Sequence, residues 1–178
     1  HPSDMPWKEL SANLYKAGAR ALPVTSLVGF LIGVVLSYLS ALQLNRFGAD
    51  AYIVNLLGIG IIRELGPVLV AVLVAGRSGS AMTAQLGVMR VTEEIDALAT
   101  MGVSQSIRLV LPKVLALSIA MPLITAWTSG VALVGGMVAA QIQLGLSYGF
   151  FVETLPRVVP VANVWIGLVK GLTFGFLI

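Results

Sequence analysis

The chain contains no cysteine, and its single histidine is His1. The first absence removes disulfide frameworks and thiolate metal sites, and the second removes imidazole as a metal ligand or general base from all but the extreme terminus. Charge is also scarce: Asp, Glu, Lys and Arg make up 11% of the 178 residues, whereas soluble domains carry about 25%. With 57% hydrophobic residues, a soluble fold of this size could not cover itself with polar surface. The net charge of +3 is scattered, and no basic run interleaved with aromatics occurs, which argues against a nucleic-acid partner.

What the chain does have is long uncharged apolar runs, and a membrane-crossing helix needs about 20 such residues. Residues 21–44 carry no charge, and Lys113 and Glu153 bracket another uncharged stretch that includes 114–140. These runs predict an all-α integral membrane protein. The opening segment, residues 1–20, has Trp7, Lys8, Glu9, Leu10 and Arg20 in an amphipathic pattern and is expected to lie in the membrane interface. A first span is predicted over 22–44, with Gly29 and Gly33 spaced for close helix contact, followed by a polar turn over 45–50. A second hydrophobic segment over 53–89 is interrupted by Arg63, Glu64, Gly66, Pro67 and Arg77. A short amphipathic helix is predicted over 92–102, with Thr92 as N-cap, acids in its first turn and Gly102 just past its end. A third span over 109–140, a polar connection holding Gln141, Gln143, Glu153 and Arg157, and a fourth span starting near Val161 complete the reading. The chain starts without Met and stops inside an apolar run, so it is read as a piece of a longer protein.

Orientation follows from the distribution of cations. With the N-terminus cytoplasmic, Lys8, Lys16, Arg20, Arg90, Arg108 and Lys113 lie inside, against Arg46 and Arg157 outside.

Arg63, Glu64, Arg77 and Lys170 fall within apolar segments, where a lone charge costs about 2.5–3.5 kcal/mol on insertion scales. Neighbours in sequence point in different directions on a helix, so Arg63 and Glu64 are expected to face different surroundings, with Lys170 as a partner for one of them. Snorkelling of Arg63 and Lys170 to a membrane surface is the alternative. Pro67 lacks an N–H, so a kink or break is expected beside the charged pair. Arg77 is expected to bond backbone carbonyls near Gly76 and Gly79, and the small residues from Ala75 to Ala81, with Gly167, Gly171 and Gly175, suit helix packing.

Two catalytic readings have little support. Gly76-Arg77-Ser78-Gly79 matches a G-x-S-G pattern, but a serine nucleophile needs a base, which leaves only a pairing of Ser78 with Lys113 or Lys170. The Gly167 to Thr173 segment has the ingredients of a phosphate loop in the wrong order.

Three blocks in order, Glu64-Leu65-Gly66-Pro67-Val68, then Ala75-Gly76-Arg77-Ser78-Gly79-Ser80-Ala81-Met82-Thr83-Ala84, then Thr92-Glu93-Glu94, closely resemble the MlaE/YrbE lipid permeases. The likeness extends over residues 21–178 and stops short of the family's last span. It implies a permease of about four spans here and five in full, acting as a homodimer in the bacterial inner membrane. It further implies two cytoplasmic ATPase subunits that hold ATP and Mg²⁺, a periplasmic MCE-domain protein, and in some systems a STAS-domain accessory subunit. No cofactor is expected in this chain. By the same resemblance the 92–102 helix would couple to the ATPase through Val91, Glu93, Glu94, Ile95, Asp96 and Leu98. Leu36, Leu44, Phe47, Arg63, Glu64 and Lys170 would contact phospholipid, and Gly66, Pro67, Arg77 and Gly79 would serve structure. A secondary transporter or channel for an apolar solute, or an intramembrane hydrolase, are the other readings.

Overall fold

The computed structural model describes residues 7–102 and 109–178, which are entirely helical. Arg108, one of the cations counted above, lies outside the described residues. Helix α1 (Trp7–Ala17) leads through a tight turn into α2 (Leu22–Phe47), whose first turn holds Pro23, where a missing N–H costs nothing. Gly48, at φ 62°, ends α2 in the left-handed conformation and returns its N–H to Asn45 and Leu44. A short 3₁₀ turn (Asp50–Tyr52) opens a continuous 39-residue helix, Ile53–Val91.

That helix contains the second hydrophobic segment, and it does not break at Pro67. It widens into a π-helical turn over Gly60–Leu65, with the Gly66 N–H reaching Ile61 O, five residues back. The missing proline N–H is thus absorbed by a wider turn rather than a break. A second π turn spans Ala75–Gly79. Here Ser80 Oγ donates to Gly76 O (2.7 Å) and Thr83 Oγ1 to Gly79 O (2.9 Å), covering carbonyls that the wide turn loosens. The three α-helical parts of this long helix are α3 (Ile53–Ile59), α4 (Gly66–Val74) and α5 (Ser80–Val91).

After α5 come α6 (Glu94–Thr100), the 34-residue α7 (Leu111–Leu144), α8 (Tyr148–Val158) and α9 (Val161–Leu177). The stretch expected to be a polar connection is therefore half helix. Ser147 caps α8 by accepting the Phe150 N–H (3.2 Å), and α8 meets α9 at 79°. By length and composition Leu10–Phe47, Ile53–Val91 and Leu111–Leu144 can cross a membrane, and α8 with α9 forms a fourth, bent candidate.

Helix α7 is the centre against which α1, α2, α4 and α9 pack. Its contact with α2 runs along Thr25, Gly29, Gly33, Ser37 and Ala41, a buried stripe of small residues four apart. At Gly33 any side chain would run into the Ala132 backbone, so the two helices touch main chain to main chain. On α9, Gly175 lies against the Leu117 main chain and Gly171 against Thr125 and Pro122 of α7, while Gly167 lies against Ile62 O of the long helix. The Ala75 to Ala81 cluster behaves otherwise. Among the described residues nothing lies within 4 Å of where a side chain at Gly76 or Gly79 would point, so these glycines are not close-packing positions there.

Two apolar clusters mark the ends of the bundle. Ala17, Ala21, Val70, Val74, Leu117 and Met121 form one, and Ala41, Ile53, Leu57, Ile61, Ala132 and Phe151 belong to the other. Outward faces are as apolar as the inside, with Leu27, Val72, Leu123, Trp165 and Phe176 each more than 60% exposed. Such an exterior is at home in hydrocarbon and not in water.

Candidate functional site: a charged cluster within the span

Helices α3 and α9 enter from the same end of the bundle, as the packing of Phe151 and Val159 around Ile53 and Gly58 requires. Glu64 lies eleven residues past Ile53, about 16 Å along the helix, and Lys170 nine past Val161, about 14 Å. Both therefore reach about half of a ~30 Å hydrocarbon core. There they meet: Lys170 Nζ lies 2.6 Å from Glu64 Oε2, and Arg63 Nε lies 3.2 Å from Glu64 Oε1. The expectation that Arg63 and Glu64 face different surroundings is corrected here. The widened turn lets adjacent side chains close on each other, and one carboxylate receives both cations. Lys170 is the partner the sequence suggested.

Lys170 Nζ also donates to Arg63 O (3.3 Å). That carbonyl sits four residues before Pro67, the position whose regular α-helical donor the proline lacks. Gly66 and Pro67 are buried, and Gly167 presses so closely on Ile62 O that a side chain there would collide with it. The cluster is thus built by a proline on one helix and a glycine stripe on another.

Arg63, Glu64 and Lys170 keep 45%, 53% and 34% of their side-chain surface open in the single chain. Two cations and one carboxylate leave a net +1, suited to an added anion. About one turn of α9 before Lys170 lies an apolar cavity of about 200 Å³, lined by Ile62, Ser129, Leu133, Val164, Gly167 and Leu168 with Thr125, and by none of the three charged residues. Thr125 Oγ1 and Ser129 Oγ are buried there without a hydrogen-bond partner among the described residues. These hydroxyls were missed in the sequence. Their signal was Thr125, Thr128 and Ser129 at i, i+3, i+4 in an otherwise apolar run.

The three apolar residues expected to join this site sit elsewhere on the same end. Leu36 and Leu44 are half-buried against the Ala41–Ile53 cluster, and Phe47 is 81% exposed at the end of α2. None of the three lines the 200 Å³ cavity.

The short amphipathic helix differs from its expected form. Thr92 does not cap it; Thr92 Oγ1 donates to Val88 O (3.1 Å) and closes α5. Glu93 takes a left-handed φ of 58°, and its carbonyl accepts the Ala97 N–H to start α6 at Glu94. Val91 therefore ends the preceding helix, 84% exposed, and does not share a helical face with the half-buried Ile95 and Leu98. Glu93, Glu94 and Asp96 are exposed.

Arg77 does bond a backbone carbonyl, but that of Arg20 in the α1–α2 turn, not one near the glycines. Among the described residues Ser78 makes no hydrogen bond to Lys113 or Lys170, although it lines one cleft with Lys113. Lys113 Nζ donates to Gln85 Oε1 (3.2 Å) and Lys170 is held by Glu64.

Comparison with known proteins agrees with this architecture. Residues 10–178 match the family described as Permease MlaE. The chain is 35% identical over 161 residues to a probable ABC transporter permease protein of Rickettsia bellii, covering 90% of this chain and 62% of that one. It is 33% identical over 142 residues to the intermembrane phospholipid transport system permease protein MlaE of Haemophilus influenzae, covering 80% and 54%. It is 27% identical over 172 residues to the chloroplastic protein TRIGALACTOSYLDIACYLGLYCEROL 1 of Arabidopsis thaliana, covering 97% and 49%. The chain thus spans less than two thirds of the length of these curated relatives.

Proposed function

The chain belongs to the MlaE permease family, and from that premise we propose that it is the membrane subunit of an ABC transporter that moves phospholipid between the bacterial inner membrane and the outer envelope. The observation that carries the reading is the Arg63–Glu64–Lys170 cluster, net positive and halfway along two apolar helices, about one turn of α9 from an apolar cavity. A charge at that depth needs compensation. A lipid phosphate offers it, and the lipid's chains offer apolar groups to the cavity walls.

In this mechanism Glu64 is the exchange partner. With no lipid bound, its carboxylate holds Arg63 and Lys170 and keeps two charges from standing alone in hydrocarbon. An arriving phosphate competes for the same N–H donors, and the return of Glu64 to them favours release. Leu36, Leu44 and Phe47 form the apolar approach from the end of α2. The reaction partners are a second permease copy, two ATPase subunits that bind ATP and Mg²⁺ and dock on α6, a periplasmic MCE-domain protein and a STAS-domain accessory subunit. The N-terminus faces the cytoplasm.

The test is transport of labelled phospholipid by the full-length permease reconstituted with its ATPase. R63Q and K170Q each remove a charge-assisted bond and are expected to slow transport about tenfold or more. E64Q is expected to retain lipid longer while turning over more slowly. Transport at the native rate in both R63Q and K170Q would overturn the assignment.

A further inference from the structure

At the opposite end of the bundle a second group of cations converges on a cleft with no acid in its lining. Lys16 in the last turn of α1, Arg20 in the following turn, Arg77 in the second π turn and Lys113 at the start of α7 line one cleft of about 180 Å³. Asn13, Ser78 and Gln85 are its uncharged polar lining, and Ala17, Ala81 and Met82 form its apolar wall. A second hollow of about 280 Å³ shares Asn13, Lys16, Gln85 and Lys113 and extends the cleft along Ala12, Met89 and Leu109. None of the residues lining either hollow is acidic, and among the described residues none of these four cations is in an ion pair.

Cation asymmetry between membrane faces accounts for the presence of lysine and arginine at this end. It does not account for four of them, from three separate stretches of chain, turning toward one hollow. Like charges so gathered repel one another unless an anion joins them. Arg77 commits one guanidinium nitrogen to Arg20 O, and Lys113 one donor to Gln85, so most of the cleft's N–H groups remain available.

Depth identifies the kind of anion. Arg77 is 24 residues past Ile53, about 36 Å along the helix, which puts it just beyond a ~30 Å hydrocarbon core and in the head-group layer. The cleft is amphiphilic, cationic toward Arg20 and Arg77 and apolar along Met82, Met89 and Leu109. A soluble phosphate has no use for that apolar extension, whereas a lipid fills both parts.

We propose that this cleft binds the phosphate head group of an anionic phospholipid from the adjacent leaflet, with the first acyl segments along Met82 and Met89. The site lies about 20 Å along the helix from Glu64 and stands independently of the transport reading. A lipid seated there would bridge α1, the α1–α2 turn, the long helix and α7, and so would stabilise the packing of α1 on the bundle.

The full-length permease, carrying a photoreactive residue at Met82, is placed in nanodiscs of phosphatidylcholine with or without phosphatidylglycerol, and crosslinked lipid is identified by mass. Phosphatidylglycerol is expected to be captured well beyond its share of the bilayer. The triple variant K16Q/R20Q/K113Q should lose that enrichment at least about tenfold, since each cation near an anionic surface contributes measurably. The variant K16R/K113R, which keeps the charge, should retain it and controls for a triple variant that fails to fold. Capture in proportion to bilayer composition overturns the proposal. Binding of inorganic phosphate that the triple variant loses, with no enrichment of phosphatidylglycerol, would assign the cleft to free phosphate and overturn the lipid reading. Full enrichment in the folded triple variant overturns it as well.

Discussion

Lys170 carries two duties with one ammonium group. It pairs with Glu64 at 2.6 Å and donates to the Arg63 carbonyl at 3.3 Å, the acceptor whose regular donor Pro67 cannot supply. Replacement by methionine, K170M, leaves the Glu64 carboxylate with a single cation and takes a donor from the Arg63 carbonyl, and is expected to lower stability. P67A restores an N–H in that turn, so K170M should cost less in the P67A background. Reversible unfolding of the four proteins of this cycle in detergent measures the difference. Equal losses in both backgrounds would mean that the Arg63 carbonyl is not short of a donor. A second residue-scale expectation concerns Gly33, where the Ala132 main chain fills the place of a side chain. G33V should destabilise α2 against α7 by several kcal/mol or prevent folding, whereas G76A, facing open space, should change stability by less than about 0.5 kcal/mol.

At the scale of elements, α6 is set off from α5 by two residues, Thr92 and Glu93, the second held at φ 58°. An L-residue in that region costs about 1 kcal/mol relative to glycine, so E93G should stabilise the turn while removing one exposed acid. The triple reversal E93K/E94K/D96K is expected to leave membrane insertion intact and to weaken ATPase association or stimulated hydrolysis about tenfold, as removing complementary charge at a docking surface does. Normal ATP-driven transport in that variant would rule out charge pairing by α6. This region also marks the limits of what the sequence discloses. The acids, Gly102 and the spans were legible because periodicity, uncharged length and glycine at a left-handed end are local properties. Thr92 was misread because its hydroxyl has two local options, the following N–H groups or the Val88 carbonyl, and the turn at Glu93 decides between them. The π turn at Gly60–Leu65 was legible only as a disturbance. Pro67 announces a missing donor, but the group that reaches the Arg63 carbonyl, Lys170, is 107 positions away. Helix α8 was hidden because its apolar residues Phe151 and Leu155 count as helix-forming only when α3 is there to receive them.

For the whole molecule the two apolar clusters fix which segments share an end. Ala17, Ala21, Val74 and Leu117 put the start of α2, the latter part of the long helix and the start of α7 together, while Ala41, Ile53, Ala140 and Phe151 gather the other ends. Lys16, Arg20, Arg77, Arg90 and Lys113 thus belong to one end, and Arg46 and Arg157 to the other. Five cations against two favour the proposed orientation, with the first end toward the cytoplasm. The turn after α2 and the residues of α6 are then on opposite sides of the membrane. Single cysteines at Asn45 and Thr100 have no native thiol to confuse them, because the chain contains none. With an impermeant thiol reagent applied from the periplasmic side, N45C should react and T100C should not, and permeabilising the membrane should expose T100C. Labelling of T100C alone would invert the topology and put α6 out of reach of a cytoplasmic ATPase. Labelling of both from one side would mean that α2 and the long helix do not cross the bilayer as the packing requires.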